Sequence, residues 1–143
     1  MPITHSQVAK NSALLSTLHP DIKPIAQRIL LKCGEQGIEL LIVQAKRTVA
    51  EQDALYAIGR TRPGKAVTNA RGGYSWHNFG RAFDVAIVKD GKPDWSDTAS
   101  YNKVGALGQS LGLVWGGSFG DSGHFEYHPG LTLKQAREQA GIV

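Results

Sequence analysis

The sequence predicts an α+β fold in which a small mixed or antiparallel sheet packs with helices. Runs with apolar residues at helical spacing and short runs rich in branched apolar residues follow one another in mixed order. We count about five helices and about four short strands, without the regular alternation that builds a parallel sheet. The 143 residues are enough to bury a core. We therefore expect one domain over residues 1–143.

The first two elements are expected to be helices. Residues 6–18 have apolar side chains spaced for one helical face, and Asp21 is expected to cap a second helix that closes near residues 34–37. Cys33 lies at helical spacing among apolar residues, which indicates a buried small side chain rather than a nucleophile. As the lone cysteine, it excludes an intramolecular disulfide.

A short apolar run over 38–43 is typical of a buried strand. Thr48 and Glu51 then have the spacing of a capping box, which predicts a helix that stops at Gly59. Arg47 is thereby placed at a strand-to-helix corner, where functional residues are common.

The remaining elements follow from turn residues and periodicity. They are a long polar loop over 59–73, a strand over 82–88 with a turn over 89–93, a helix over 98–111, a strand and turn over 112–117, a strand over 124–127, and a short helix capped by Thr132 and Gln135.

The charge distribution points to an anionic partner. The net charge is +4, and no acidic residue lies between Asp53 and Asp84. Five basic residues lie in that interval: Arg60, Arg62, Lys65, Arg71 and Arg81. They form either a solvated loop or a basic rim that receives an acidic ligand. No reading helix or interleaving of aromatic and basic residues supports nucleic-acid binding.

The chain start has no basic segment followed by an apolar run, and no run of 18 apolar residues occurs. We therefore expect neither a signal peptide nor stable membrane insertion.

A histidine and an aspartate are the strongest candidates for chemistry. Asp84 lies inside the apolar run 82–87, where an uncompensated carboxylate costs several kcal/mol, and His77 comes just before it. A catalytic zinc takes three protein ligands and one water, so a third ligand is needed. His124, which follows a glycine-bounded turn, is the best candidate, and His128 is a weaker substitute. The alternative is a His–Asp pair in a turn without a metal.

Two motifs carry a resemblance to a known family. Ser75-x-His77-x-x-Gly80-x-Ala82-x-Asp84 and the later Asp121-x-x-His124 resemble the zinc peptidases of the D-alanyl-D-alanine carboxypeptidase and L-alanyl-D-glutamate endopeptidase superfamily, in particular small cell-wall endopeptidases and phage endolysins. The similarity extends to Arg47, to the pair Glu51-Gln52 and to residues 115–117, and covers about residues 14–127.

The resemblance implies a Zn²⁺ ion held by His77, Asp84 and His124, on the sheet edge and adjoining loops. It implies Asp121 as the catalytic base, which accepts the proton of the attacking water and delivers it to the leaving amine. It also implies that Arg47 stabilises the developing oxyanion or holds a substrate carboxylate.

Other conspicuous residues have two interpretations each. Ser75 donates a hydrogen bond to a ligand carboxylate or caps a turn, and Trp76 stacks on substrate or packs. We expect both, together with Arg81 of the basic rim, to contact substrate. Glu126 lies near the metal or points into solvent, and Trp115 is expected in the core.

These expectations together describe a zinc metallopeptidase that hydrolyses peptidoglycan stem peptides between L-alanine and D-glutamate. We expect a monomeric phage endolysin without a separate wall-binding domain, which accumulates in the host cytoplasm and reaches the wall through a permeabilised membrane. The alternatives are a D,D-carboxypeptidase that uses the same zinc site and a non-catalytic cell-wall binding module.

Overall fold

The computed structural model describes residues 3–142 and confirms the α+β prediction. The helices are α1 (His5–Leu15), α2 (Lys23–Glu35), α3 (Val49–Ala57), α4 (Thr98–Ser110) and α5 (Leu133–Gln139), and the strands are β1 (Glu39–Gln44), β2 (Ala82–Lys89), β3 (Lys92–Asp94), β4 (Val114–Trp115) and β5 (His124–Glu126). Two 3₁₀ helices, Trp76–Phe79 and Gly116–Phe119, stand directly before β2 and before the turn into β5.

The strands form one antiparallel sheet in the order β1-β2-β5-β4, and β3 also pairs with β2. Strand β2 is central, and its side chains from Val85 to Val88 are all buried. The run 82–88, rich in apolar residues, predicted this strand because a strand covered on both faces needs no polar alternation. Residues 39–44, which form β1, supply the neighbouring strand.

Strand β3 was not predicted, since residues 89–93 were interpreted only as a turn. The turn itself is tight: Asp90 and Gly91 have φ values of 53° and 77°. Two central residues with positive φ are typical of the two-residue hairpins that match the strand twist. The chain therefore turns back at once and pairs with β2, although Pro93 and the short length of β3 give no strand signal.

The start of α2 differs from the expectation. Asp21 does not cap it: the N-cap position is Ile22, which has helical backbone angles and makes no side-chain capping bond. The N–H groups of Ile22 and Lys23 already bond to the carbonyl of His19, so the chain enters α2 through a hydrogen-bonded turn. The carboxylate of Asp21 lies instead 3.4 Å from the guanidinium of Arg81.

Helix α1 ends earlier than expected, at Leu15. The hydroxyls of Ser16 and Thr17 donate to the carbonyls of Ala13 and Leu14, which satisfies the last turn of the helix.

The core lies between the sheet and the helices. Phe83 of β2 and Phe125 of β5 are directly paired, with ring centroids 5.5 Å apart, and both are fully buried. Cys33 is buried in this core as predicted, and burial raises the pKa of its thiol to about 11. Since side chains alternate along a strand, the residues next to the two phenylalanines point to the other face of the sheet. In residues 3–142, no helix combines the length and the apolar composition that a bilayer crossing requires.

Candidate metal centre

Three side chains meet where β1, β2 and β5 come together at one end. Each of His77, Asp84 and His124 offers a ligand atom, and these atoms all lie within 4.8 Å of one another. Nδ1 of His124 is 2.7 Å from Oδ1 of Asp84, and Nε2 of His77 is 3.3 Å from Oδ2. The structure thus brings together the three candidate ligands that the sequence predicted.

His77 is fixed by its own short helix. Ser75 caps the 3₁₀ helix Trp76–Phe79, its hydroxyl accepting the N–H of His77 at 3.3 Å, and Gly80 ends the helix with a φ of 66°. Nδ1 of His77 lies 2.7 Å from the carbonyl oxygen of Ala45. A carbonyl only accepts, so Nδ1 carries a proton here, and Nε2 is the ring nitrogen that faces Asp84.

Asp84 and His124 are placed by strand pairing. They are directly opposite one another in the β2–β5 ladder. The ladder continues where the N–H of Val85 donates to the carbonyl of Gly123 at 2.8 Å. A Cβ on Gly123 would meet the carbonyl oxygen of Val85 at 2.5 Å, so only glycine allows the strands to approach this closely here.

The pKa values of Asp84 and Asp121 are shifted in opposite directions. Burial opposes ionisation of Asp84, but hydrogen bonds from His124 and His77 outweigh it and hold the pKa of Asp84 well below its usual range. The pKa of Asp121 is raised, by burial and by the negative charge of Asp84. Asp84 is therefore suited to remain an anionic ligand, and Asp121 is suited to exchange a proton.

The pKa of His124 is shifted by the neighbouring carboxylates. Burial opposes its protonation, but the hydrogen bond to Asp84 and the carboxylate of Glu126 outweigh burial and raise the pKa of His124 to about 9. Two imidazole nitrogens and one carboxylate oxygen are a donor set that fits a catalytic zinc ion with one position left for water. The residues present therefore fit the metal that the sequence predicted.

The three candidate ligands line a cleft of about 350 Å³. The other residues that line it are Arg47, Leu55, Val67, Thr68, Ser75 and Asp121. Arg47 is half-buried at the start of α3, and its Nη1 donates to Gln52 at 2.7 Å. Its Nε is buried and makes no hydrogen bond within the described chain. The cleft thus joins the metal ligands to one acidic and one basic side chain.

Of the residues expected to contact substrate, only Ser75 lines this cleft. Trp76 lies beside it, in a neighbouring cavity of about 470 Å³, and stacks on His128 with ring centroids 3.9 Å apart. Arg81 is not at the cleft: its guanidinium lies 3.4 Å from Asp21 and 3.4 Å from Nε2 of His19. Its place in sequence beside the motif gave no information about this long-range pairing, and the structure does not bring Arg81 together with the candidate ligands.

The structure also shows where Glu126 and Trp115 lie. Glu126 does not point into solvent: its Oε2 lies 3.6 Å from Nε2 of His124 and 3.8 Å from Nε2 of His128. Trp115 packs against the core from a partly buried position, and its Nε1 donates to the carbonyl of Ser122 at 2.8 Å.

The residue that sequence reasoning missed is Asn78. Its side-chain amide donates to the carbonyls of Arg47 and Thr48, and its oxygen accepts from the N–H groups of Gly73 and Ser75. The spacing of Ser75 and Asn78 forms a capping box, which was the signal available in the sequence. Asn78 thereby connects the polar loop, the 3₁₀ helix and the corner that carries Arg47.

Gln52 was noted only as part of a motif. It is fully buried beneath Arg47 and donates to the carbonyl of Ala70 at 2.7 Å.

Comparisons with known proteins identify the family to which the chain belongs. A family model described as D-alanyl-D-alanine carboxypeptidase (VanY) matches residues 15–129. The peptidoglycan L-alanyl-D-glutamate endopeptidase CwlK of Bacillus subtilis is 38% identical over 138 residues, which cover 87% of this chain and 83% of that protein. The L-alanyl-D-glutamate peptidase of a Listeria phage is 28% identical over 131 residues, or 88% of this chain. The chain spans only 43% of that phage protein.

A solved structure shares the fold. The vancomycin-resistance D,D-pentapeptidase VanY in complex with Zn(II) superimposes with a TM-score of 0.60 at 14% identity, covering 87% of this chain and 80% of the other. The match of the family model over most of the chain, together with the identity to the Bacillus enzyme, shows that this chain belongs to the D-alanyl-D-alanine carboxypeptidase family.

Proposed function

We propose that the protein is a zinc metallopeptidase that hydrolyses peptidoglycan stem peptides between L-alanine and D-glutamate. The observation that carries the proposal is the convergence of His77, Asp84 and His124 with Asp121 and Arg47 in one cleft. The specific bond is supported by the name of the Bacillus relative, which aligns over most of both chains.

The metal ligands in this proposal are Nε2 of His77, a carboxylate oxygen of Asp84 and Nδ1 of His124. When bound, zinc lowers the pKa of its water and polarises the scissile carbonyl. The D,D-pentapeptidase of similar fold is described with Zn(II), which supports zinc among the metals that this donor set accepts.

Asp121 acts as the general base in this scheme. It accepts a proton from the attacking water and then delivers that proton to the nitrogen of the leaving amine. Its raised pKa serves both transfers, because a carboxylate that is too weak a base accepts no proton at neutral pH.

Arg47 stabilises the charge that develops on the carbonyl oxygen. Its buried Nε makes no hydrogen bond within the described chain, and its Nη1 is held by the buried Gln52. A cation that is already oriented and partly dehydrated stabilises a developing oxyanion better than a mobile surface arginine does.

We further propose that the enzyme acts as a phage endolysin during host lysis. The phage relative supports this role, since its name assigns the same bond to a phage protein. In this role the enzyme acts on the wall after release through a permeabilised membrane.

The competing activity is D,D-carboxypeptidase action, after which the family model is named. Digestion of purified peptidoglycan with mass analysis of the fragments separates the two. We expect fragments with a new D-glutamate amino terminus, absent from digests with Asp121→Asn. Release of terminal D-alanine alone would establish the carboxypeptidase instead. Binding of Asp121→Asn and the parent enzyme to the wall, with cleavage by neither, would leave only a binding module.

A further inference from the structure

The structure divides the five basic residues of the interval 54–83 into groups with different roles. Arg60 donates to the carbonyl of Tyr56 and stacks over that ring at 3.8 Å, and Arg71 donates to the hydroxyl of Tyr74. Arg81 faces Asp21, as described above. In the described chain, neither Arg62 nor Lys65 makes a salt bridge. Of these two, only Arg62 lines a cavity next to the metal cleft.

This second cavity has a volume of about 310 Å³ and continues the metal cleft. The two share Arg47 and Leu55, so they adjoin each other at these two side chains. The other residues that line it are Gln44, Glu51, Ala54, Ile58 and Arg62. A substrate held at the metal can therefore extend past Arg47 into a space with an apolar wall and a second guanidinium.

The turn that carries Arg62 is rigidly built. The N–H of Gly59 donates to the carbonyl of Arg62 at 2.9 Å, and Ile58 forms a bridge with Arg62. Gly59 has a φ of 83°, and a Cβ there would meet the backbone of Ala66 at 2.5 Å. A backbone fixed in this way lowers the entropy lost when the side chain binds a ligand.

The lining of the cavity matches a short aliphatic chain that ends in a carboxylate. Ala54, Leu55 and Ile58 provide apolar contact, and a guanidinium binds a carboxylate in a forked geometry. Glu51 is the one acidic group in the lining, and its carboxylate already accepts the N–H of Thr48 at 2.9 Å. Repulsion from Glu51 favours a bound carboxylate on the side of Arg62.

A glutamyl residue within a peptide always retains one carboxylate, whichever of its two enters the chain. We propose that Arg62 binds this free carboxylate of the D-glutamyl residue, on the leaving side of the scissile bond. The inference rests on the proposed function and assigns the cavity beyond Arg47 as a specificity subsite. Arg62 is a substrate-binding residue here and takes no part in proton transfer.

The test compares two synthetic stem peptides, one with the free glutamyl carboxylate and one with a carboxamide in its place. A charged hydrogen-bonded pair contributes enough that the parent enzyme should cut the acid with a kcat/KM about 10- to 100-fold higher than the amide. Arg62→Gln should reduce this ratio to within about threefold of one, mainly through a higher KM for the acid. Arg62→Lys, a point charge without the fork, should keep part of the ratio.

Lys65→Gln is the matched control, because it removes one positive charge from the same exposed segment outside the cavity. It should keep the parent ratio, which excludes a general effect of charge. A parent-like ratio in Arg62→Gln, with thermal unfolding unchanged, would overturn the inference alone. Failure of the parent enzyme to cut either peptide would overturn the proposed function and the inference with it.

Discussion

The backbone N–H of Arg47 donates to the carbonyl of His77 at 2.9 Å. One hydrogen bond thus joins the corner that carries the cleft arginine to the short helix that carries the candidate ligand His77. The side-chain amide of Asn78 reinforces the same contact by donating to the carbonyls of Arg47 and Thr48. The two elements are therefore positioned relative to each other by backbone and amide contacts.

Asn78→Ala should destabilise the protein by about 2–3 kcal/mol, because it leaves buried backbone groups without partners. We also expect kcat to fall by roughly tenfold or more as the cleft loses its alignment. Denaturant unfolding and peptide hydrolysis measure the two effects. Asn102→Ala, on the exposed face of α4, is the control and should change neither. An unaltered kcat in a destabilised Asn78→Ala protein would contradict the positioning role.

Asp121→Asn should lower kcat by about 10²- to 10⁴-fold, the usual contribution of a positioned general base. The substitution preserves the shape of the side chain and leaves all three metal ligands in place. Metal content, measured by elemental analysis, should therefore equal that of the parent. A variant that keeps its activity would show that Asp121 is not the base, whereas loss of the metal would assign the lost activity to a disturbed metal site.

Removal of the metal should abolish hydrolysis and lower the Tm, since an ion that binds only the folded state stabilises it by mass action. Return of zinc to the chelated protein should restore both. In Asp84→Asn, return of zinc should restore neither hydrolysis nor the Tm, because the substitution takes away the charge at the centre of the proposed ligand set. Asp90→Asn, in the exposed turn between β2 and β3, is the matched control. Full activity in protein shown to be free of metal would refute the scheme.

Two glycine-to-alanine changes should alter the free energy of unfolding in opposite directions. A Cβ at Gly105 would lie 2.2 Å from the Trp115 ring, so Gly105→Ala should destabilise by about 1–3 kcal/mol through overpacking. At Gly34 in α2 a Cβ meets nothing within 4 Å, and Gly34→Ala should stabilise by about 0.5–1 kcal/mol through helix propensity. Urea unfolding of Gly105→Ala tests the packing of α4 against β4, and Gly34→Ala in α2 is the comparison without a packing contact.

The acid stability should depend on the carboxylate of Asp97. Its hydrogen bonds from Lys89 and Ser100 hold the pKa of Asp97 well below its usual range. A carboxyl whose pKa is depressed on folding stabilises the protein above its unfolded pKa of about 3.9, and this stabilisation is lost as the pH falls below that value.

Asp97→Asn keeps the cap of α4 and removes the charge. The Tm difference between the parent and Asp97→Asn should therefore be positive at pH 6 and shrink below about pH 4. Lys89→Met removes the main partner of Asp97, and it should likewise lower the Tm at pH 6 relative to the parent. Parallel Tm curves from pH 6 to pH 2.5 would contradict this role for Asp97.

What the sequence predicted depended on local signals. The apolar run 82–88 was sufficient for β2, and the resemblance carried by the two short motifs around His77, Asp84 and His124 implied the three candidate ligands. The position of Arg81 away from the cleft was not predicted, because its partners, His19 and Asp21, lie far away in sequence. Strand β3 was missed because its pairing is set by the turn at Asp90 and not by its own residues.

The burial of Asn78 likewise depended on contacts that periodicity does not encode. Its partners, Arg47 and Gly73, belong to separate segments that meet only in the folded chain.

The direct pairing of Asp84 with His124 has a consequence for how the chain completes its fold. Strand β5 has only three residues, so few ladder bonds define its alignment against β2. A slip of one residue would exchange the two faces of β5 and bring Phe125, instead of His124, beside Asp84. Metal binding and correct alignment of β5 are therefore thermodynamically linked, each favouring the other. In the proposed scheme, occupancy of the site thus serves as a check on the alignment of β5, because a misaligned molecule would lack the third candidate ligand.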